Sequence, residues 1–124
     1  MDKILLLAFG GGLGSVLRYF LSLTFPWDGL GFPKATFLAN ILASLILGLL
    51  TGILLLEFGD RIWLKYFLVI GFCGGFSTFS TFGLECFKLI ESGAFGLATV
   101  YMVFSIFFSI TTIFVGISLI KYFY

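Results

Sequence analysis

Histidine is absent from the 124 residues, and charge is scarce: seven Lys and Arg stand against six Asp and Glu, 10% of the chain, for a net charge of +1. The missing imidazole removes the commonest metal ligand and the usual proton shuttle. It also excludes catalytic dyads and triads built on that side chain. A balance so close to neutral points away from a nucleic-acid partner. Cysteine is nearly absent too. Cys73 and Cys86 fall in one apolar segment, roughly 20 Å apart if helical at about 1.5 Å per residue. A disulfide needs Cα atoms within about 7 Å, so the expectation is two buried free thiols. No G-x-x-x-x-G-K-[ST] phosphate loop is present, so the sequence offers no energy-coupling motif.

Apolar residues make up 60% of the chain, and the mean hydropathy is +1.20. A soluble domain carries about 25% charged residues. One of this length cannot bury so much apolar surface in its own core. The reading is an all-α membrane protein, one transmembrane domain over residues 1–124. A bilayer core about 30 Å thick takes about 20 apolar helical residues. Four stretches qualify: 4–25, 35–56, 62–90 and 95–122. The first passes beyond any plausible signal-peptide cleavage point, so it reads as a retained span. The intervening FPWDGLGFPK, EFGDR and KLIESG carry the proline, glycine and charge of helix ends. Such short connections make sequential helices antiparallel neighbours.

With four spans, Lys3, Arg61, Lys65 and Lys121 lie on one side of the membrane, and Lys34 and Lys88 on the other. That is a weak positive-inside bias. It is compatible with insertion in both directions, and hence an antiparallel dimer, and equally with a single orientation.

Residues that lipid should reject recur at helical spacing. Gly10, Gly14, Arg18 and Ser22 form one stripe. Thr36, Asn40, Ser44, Gly48 and Gly52 form a second. Tyr101, Ser105, Ser109, Thr112 and Gly116 form a third. Steps of three and four place each set on one helix face. Small residues in such stripes serve close helix packing, and Ser and Thr bond across the contact. Arg18 and Asn40 are different. An arginine inside a span costs at least about 2.5 kcal/mol even on the lenient insertion scale. It must face protein, water or an ion, or snorkel to the interface. Asn40 has two N–H donors and is a candidate for lining a permeation path. Glu85, the acid inside the third span, has three open readings: pairing with Arg18, pairing with Lys88, or a place near the aqueous end.

The third stretch carries Gly71, Gly74 and Gly75, then Ser77, Thr78, Ser80 and Thr81. Clustered glycine with Ser and Thr marks a kink or break. Backbone groups freed there must line a cavity or coordinate something. In transport proteins such freed carbonyls bind cations and freed N–H groups bind anions. Phe79 and Phe82 share a face and alternate with hydroxyls in STFSTF. A phenyl ring has a positive edge, so these rings are candidates to meet a small dehydrated anion.

GGLGSVLRY in the first span, TFLANILASLILG in the second and GFCGGFSTFSTF in the third together resemble the Fluc fluoride channels. The third element is the most specific, and the likeness covers nearly the whole chain. Phe76 and Ser77 stand where many members have Leu-Thr. The resemblance implies an antiparallel, dual-topology homodimer in the inner (plasma) membrane, with the third helix broken at its centre. It implies passive, fluoride-selective flow out of the cell through two narrow pores, each lined by both subunits. Phe79 and Phe82 would form an aromatic box around fluoride, and Asn40 would donate hydrogen bonds to it. Ser80 and Thr81 would belong to a polar track, Tyr101 would match a fourth-span tyrosine near that fluoride pathway, and Arg18 would sit in the entry vestibule. Carbonyls of Gly74 and Ser77 from both subunits would hold a structural Na+ that is not transported.

Two other functions fit the size and span count. A small dual-topology multidrug exporter depends on a membrane-embedded glutamate in its first span, where this chain has Arg18 and no acid. A non-transporting membrane subunit needs no polar pathway. An enzyme is disfavoured, because no nucleophile–base pair is visible.

Overall fold

The structure is a computed structural model that describes residues 2–56 and 61–124. Residues 57–60, most of the expected EFGDR turn, lie outside the described part. Helix α1 runs over Asp2–Thr24 and α2 over Lys34–Leu56. The third span comprises α3 (Leu64–Cys73), one further turn at Gly74–Phe76, and α4 (Phe79–Glu91). Helix α5 covers Phe95–Phe123. Four segments are long and apolar enough to cross a membrane: α1, α2, Leu64–Glu91 and α5. Large apolar side chains such as Phe9, Leu13, Ile110 and Phe114 point outward. In water that surface would be unfavourable; in lipid it is the solvent-facing surface.

Glycines decide which helices meet. A Cβ on Gly14 would collide with the Phe72 carbonyl oxygen, and one on Gly75 with that of Gly11. Helix α1 therefore lies backbone to backbone against α3 and the turn that follows it. On α2, a Cβ at Gly48 would strike the Ile113 carbonyl, and one at Gly116 of α5 would approach Leu45 and Leu49. These contacts bring α2 against α5. No hydrophobic driving force acts between helices in lipid, so close approach and dispersion hold such pairs together.

The third span is irregular along its length. Helix α3 is π-wound, a rare form that clusters at functional sites. After Phe76 the chain leaves helical geometry: Ser77 has φ −75° and ψ 157°, and Thr78 has φ −152° and ψ 125°. Helix α4 then starts afresh. Thr78 caps it, its Oγ1 accepting the Thr81 N–H at 3.3 Å.

The loop between α1 and α2 is tied locally. Asp28 Oδ1 accepts the N–H groups of Leu30 (2.9 Å) and Gly31 (3.1 Å), and Trp27 Nε1 donates to the Gly31 carbonyl at 2.6 Å. Gly29 sits at φ 86°, where a side chain would be strained. The Leu30 and Gly31 amides hold the Asp28 carboxyl below the usual carboxylate range. Pro33 is fully buried and immediately precedes α2, its carbonyl accepting the Phe37 N–H at 3.1 Å. Cys73 and Cys86 are both buried free thiols, as the spacing implies.

Candidate functional site: the extended pair and its two cavities

Two residues with extended backbone, in the middle of a span, interrupt the helical ladder and leave several polar groups to be satisfied. The Cys73 carbonyl accepts the Ser77 N–H at 3.0 Å and its hydroxyl at 2.8 Å. Beyond that point the helical ladder stops. The Gly75 carbonyl turns instead to α1, accepting Arg18 Nε at 3.2 Å and the Ser15 hydroxyl at 3.4 Å. The Asn40 side chain pairs with Thr78 on both sides: its Oδ1 accepts the Thr78 N–H at 2.7 Å, and its Nδ2 donates to the Thr78 carbonyl at 3.2 Å. That double contact fixes which way the amide faces. It leaves one Nδ2 N–H unused.

The remaining backbone groups stay open. Among the described residues, the carbonyls of Gly74, Phe76 and Ser77 accept no hydrogen bond, and the N–H groups of Phe79 and Ser80 donate none. Freed carbonyls and the N-terminus of α4 thus lie within a few residues of each other at the centre of the span. The helix N-terminus carries positive partial charge.

Two cavities flank this place. The first, about 360 Å³, is lined by Asn40, Ser44, Phe79 and Phe82, with Ser105 and Ser109 from α5. Phe79 is 84% exposed, and its ring lies 5.8 Å from that of Phe82. The Ser105 hydroxyl is buried and has no partner among the described residues. The second cavity, about 370 Å³, is lined by Arg18, Ser15, Ser22, Thr36, Thr81 and Glu85. Arg18 is thus half-buried between a carbonyl and a cavity. Gly74 and Ser77 line a third hollow of about 350 Å³, together with Ala43 and Ser44 of α2.

The site residues expected from sequence divide between these spaces. Asn40, Phe79 and Phe82 share the first cavity, and Arg18 and Thr81 share the second. Ser80 is exposed beside the Thr78 hydroxyl, 3.5 Å away. Tyr101 lines neither. It is fully buried, and its hydroxyl donates to Glu85 at 2.7 Å. Glu85, 8% exposed, also accepts the Thr36 hydroxyl at 2.6 Å. Its two oxygens are therefore held by Thr36 and Tyr101, an arrangement absent from the three readings open at the sequence level. Ser44, Ser105 and Ser109 belong to the site as well. The signal for them was their place in the same stripes as Asn40 and Tyr101.

The family profile described as CrcB-like protein, Camphor Resistance (CrcB), matches residues 5–117. A protein of Nitrobacter winogradskyi named fluoride-specific ion channel FluC is 40% identical over 119 residues, 95% of this chain and 94% of that one. A protein of Pyrococcus abyssi with the same name is 44% identical over 121 residues, 98% of each chain. Another, from Rhodospirillum centenum, is 39% identical over 127 residues, 98% of this chain and 97% of its own. With a profile matched over residues 5–117 and relatives about 40% identical along nearly their whole length, the chain belongs to the CrcB-like family.

Proposed function

We propose that this protein is a fluoride-selective channel of the inner membrane, through which fluoride leaves the cell down its electrochemical gradient. The observation that carries the reading is the near full-length similarity to proteins named fluoride-specific ion channels. Passive flow is the simplest mechanism for a chain with no phosphate loop.

The geometry supports a path beside the extended pair. Fluoride enters past Arg18 and the hydroxyl of Thr81, then meets Asn40, Phe79 and Phe82. A strongly hydrated anion sheds water only if donors replace it. The unused Asn40 N–H, the Ser80 and Thr81 hydroxyls, the open amides of α4 and the ring edges are such donors. Several weak contacts in series favour entry without trapping the ion.

The working unit is an antiparallel homodimer in which the broken third helices of two copies meet. Phe79, at 84% exposure beside the interruption, supports a partner that completes the cavity. Open carbonyls of Gly74 and Ser77 suit a hard cation, which takes oxygen ligands. Gly74 is exposed, and nothing lies within 4 Å of where its Cβ would be, so the backbone is approachable. These residues therefore fit a structural Na+ shared with the partner, which when bound would neutralise carbonyl dipoles that lipid cannot satisfy.

Reconstituted in liposomes under a fluoride gradient, the protein should release fluoride to an electrode while chloride, measured in parallel, stays inside. Correctly folded protein without fluoride-selective efflux would sink the channel reading. It would leave the non-transporting subunit, and a drug gradient in place of fluoride tests the exporter.

A further inference from the structure

Phe32 lies in the α1–α2 loop and lines neither of the two cavities that flank the extended pair. Its ring nonetheless stands edge-on to Tyr101, with centroids 5.2 Å apart and planes at 75°. Tyr101 in turn meets Phe82 at 5.0 Å and 62°. Phe82 lies 5.8 Å from Phe79. Four rings thus run without a gap from the loop to the wall of the first cavity.

Each member behind the cavity is held. Phe32 precedes the fully buried Pro33, which confines its backbone to an extended conformation. Phe37 packs on it edge-on at 5.1 Å. Tyr101 is fully buried and tethered by its hydroxyl to Glu85. The hydroxyl limits where that ring can go, and rotation about the tether is opposed by the rings packed on it, Phe32 and Phe82.

Ring angle matters here more than ring position. The face of a phenyl ring repels an anion and the edge attracts it. Turning Phe82 therefore changes the sign of its interaction with an ion in the cavity. An apolar residue that only fills space would not have that consequence.

We propose that Phe32 is a positioning residue for anion selectivity: through Tyr101 it fixes the angle at which Phe82 faces the cavity. The proposal rests on the fluoride-channel reading given above. It assigns a loop residue outside the cavity a role in discriminating fluoride from larger halides.

The test uses the full chain in liposomes, with fluoride and chloride efflux measured side by side for wild type, Phe32→Leu, Phe32→Met and Phe32→Tyr. Loss of one edge-to-face contact should lower the fluoride-to-chloride ratio of Phe32→Leu and Phe32→Met by about three- to tenfold. Phe32→Tyr keeps the ring and should stay within about twofold of wild type. Gel filtration and thermal denaturation of each variant provide the structural readout. An unchanged ratio in either aliphatic variant, with or without lower thermal stability, reduces Phe32 to a packing residue and overturns the proposal. So does failure of both aliphatic variants to assemble. Wild-type protein that passes no fluoride would instead overturn the channel reading beneath it.

Discussion

Asn40 has two tasks at one amide. Its contacts with both polar groups of Thr78 replace the helical partners that Thr78 lacks, and they orient the remaining N–H. Asn40→Asp keeps an acceptor for the Thr78 N–H but sets a carboxylate oxygen against the Thr78 carbonyl and removes the donor. Fluoride efflux should fall about tenfold or more, since a hydrogen bond to a charged group contributes about 1.5–3 kcal/mol. Efflux at the wild-type rate from a folded Asn40→Asp protein would remove Asn40 from the pathway. Phe79→Ile removes one ring edge and should cut efflux by about three- to tenfold while the protein still elutes as the wild type does. Tyr101→Phe probes a different link. It leaves a Glu85 oxygen without its donor, so thermal denaturation should show a loss of about 1–3 kcal/mol. A stability equal to wild type would mean that water or another group takes the place of the hydroxyl.

At the scale of helices, the glycine contacts decide where the site lies. Gly14 and Gly75 let α1 and the third span touch along the backbone, and that contact brings Ser15 and Arg18 within reach of the Gly75 carbonyl. Gly14→Ala forces a methyl into the Phe72 carbonyl and the Phe76 amide. It should destabilise the protein by about 1–3 kcal/mol, the usual cost of overpacking, and should reduce efflux through displacement of the interruption. Gly83, with nothing within 4 Å of its Cβ position, is the control: Gly83→Ala should leave the isolated subunit's packing unchanged. The stripes that contain these glycines were legible from spacing alone. What spacing did not reveal was their division of labour. In α1, Gly14 packs while Arg18, one turn on, braces a carbonyl and borders a cavity. In α5, Tyr101 is packed away while Ser105 and Ser109 line the first cavity. One face of a helix meets different neighbours along its length, and periodicity carries no record of which.

For the molecule as a whole, the polar groups left open at Gly74 and Ser77 make assembly and ion content one question. If a structural Na+ holds two copies together, exchange into sodium-free buffer should lower the dimer fraction in a dilution series followed by cross-linking or gel filtration. Ligand that binds only the assembled state stabilises it by mass action, about 2.7 kcal/mol at one hundred times the dissociation constant. A dimer fraction independent of sodium after prolonged exchange would refute the bridging role.

The sequence by itself determined the solvent, the number of spans and the place where the third span leaves helical geometry. Apolar runs of about 20 residues call for lipid as the surrounding, and the glycine cluster followed by hydroxyls in the third span marks a place where the helical ladder can fail. The choice of ion came from likeness to relatives, since no spacing of Phe and Ser spells fluoride. The tertiary structure decided which polar groups are already spent. Thr36 and Tyr101 occupy Glu85, Thr78 occupies most of Asn40, and the Gly75 carbonyl takes only the Nε of Arg18. Hydrogen bonds between residues 16 to 57 positions apart depend on helix rotation and on the depth to which glycines let helices approach. Those quantities are set by packing in three dimensions and leave no local trace in the chain.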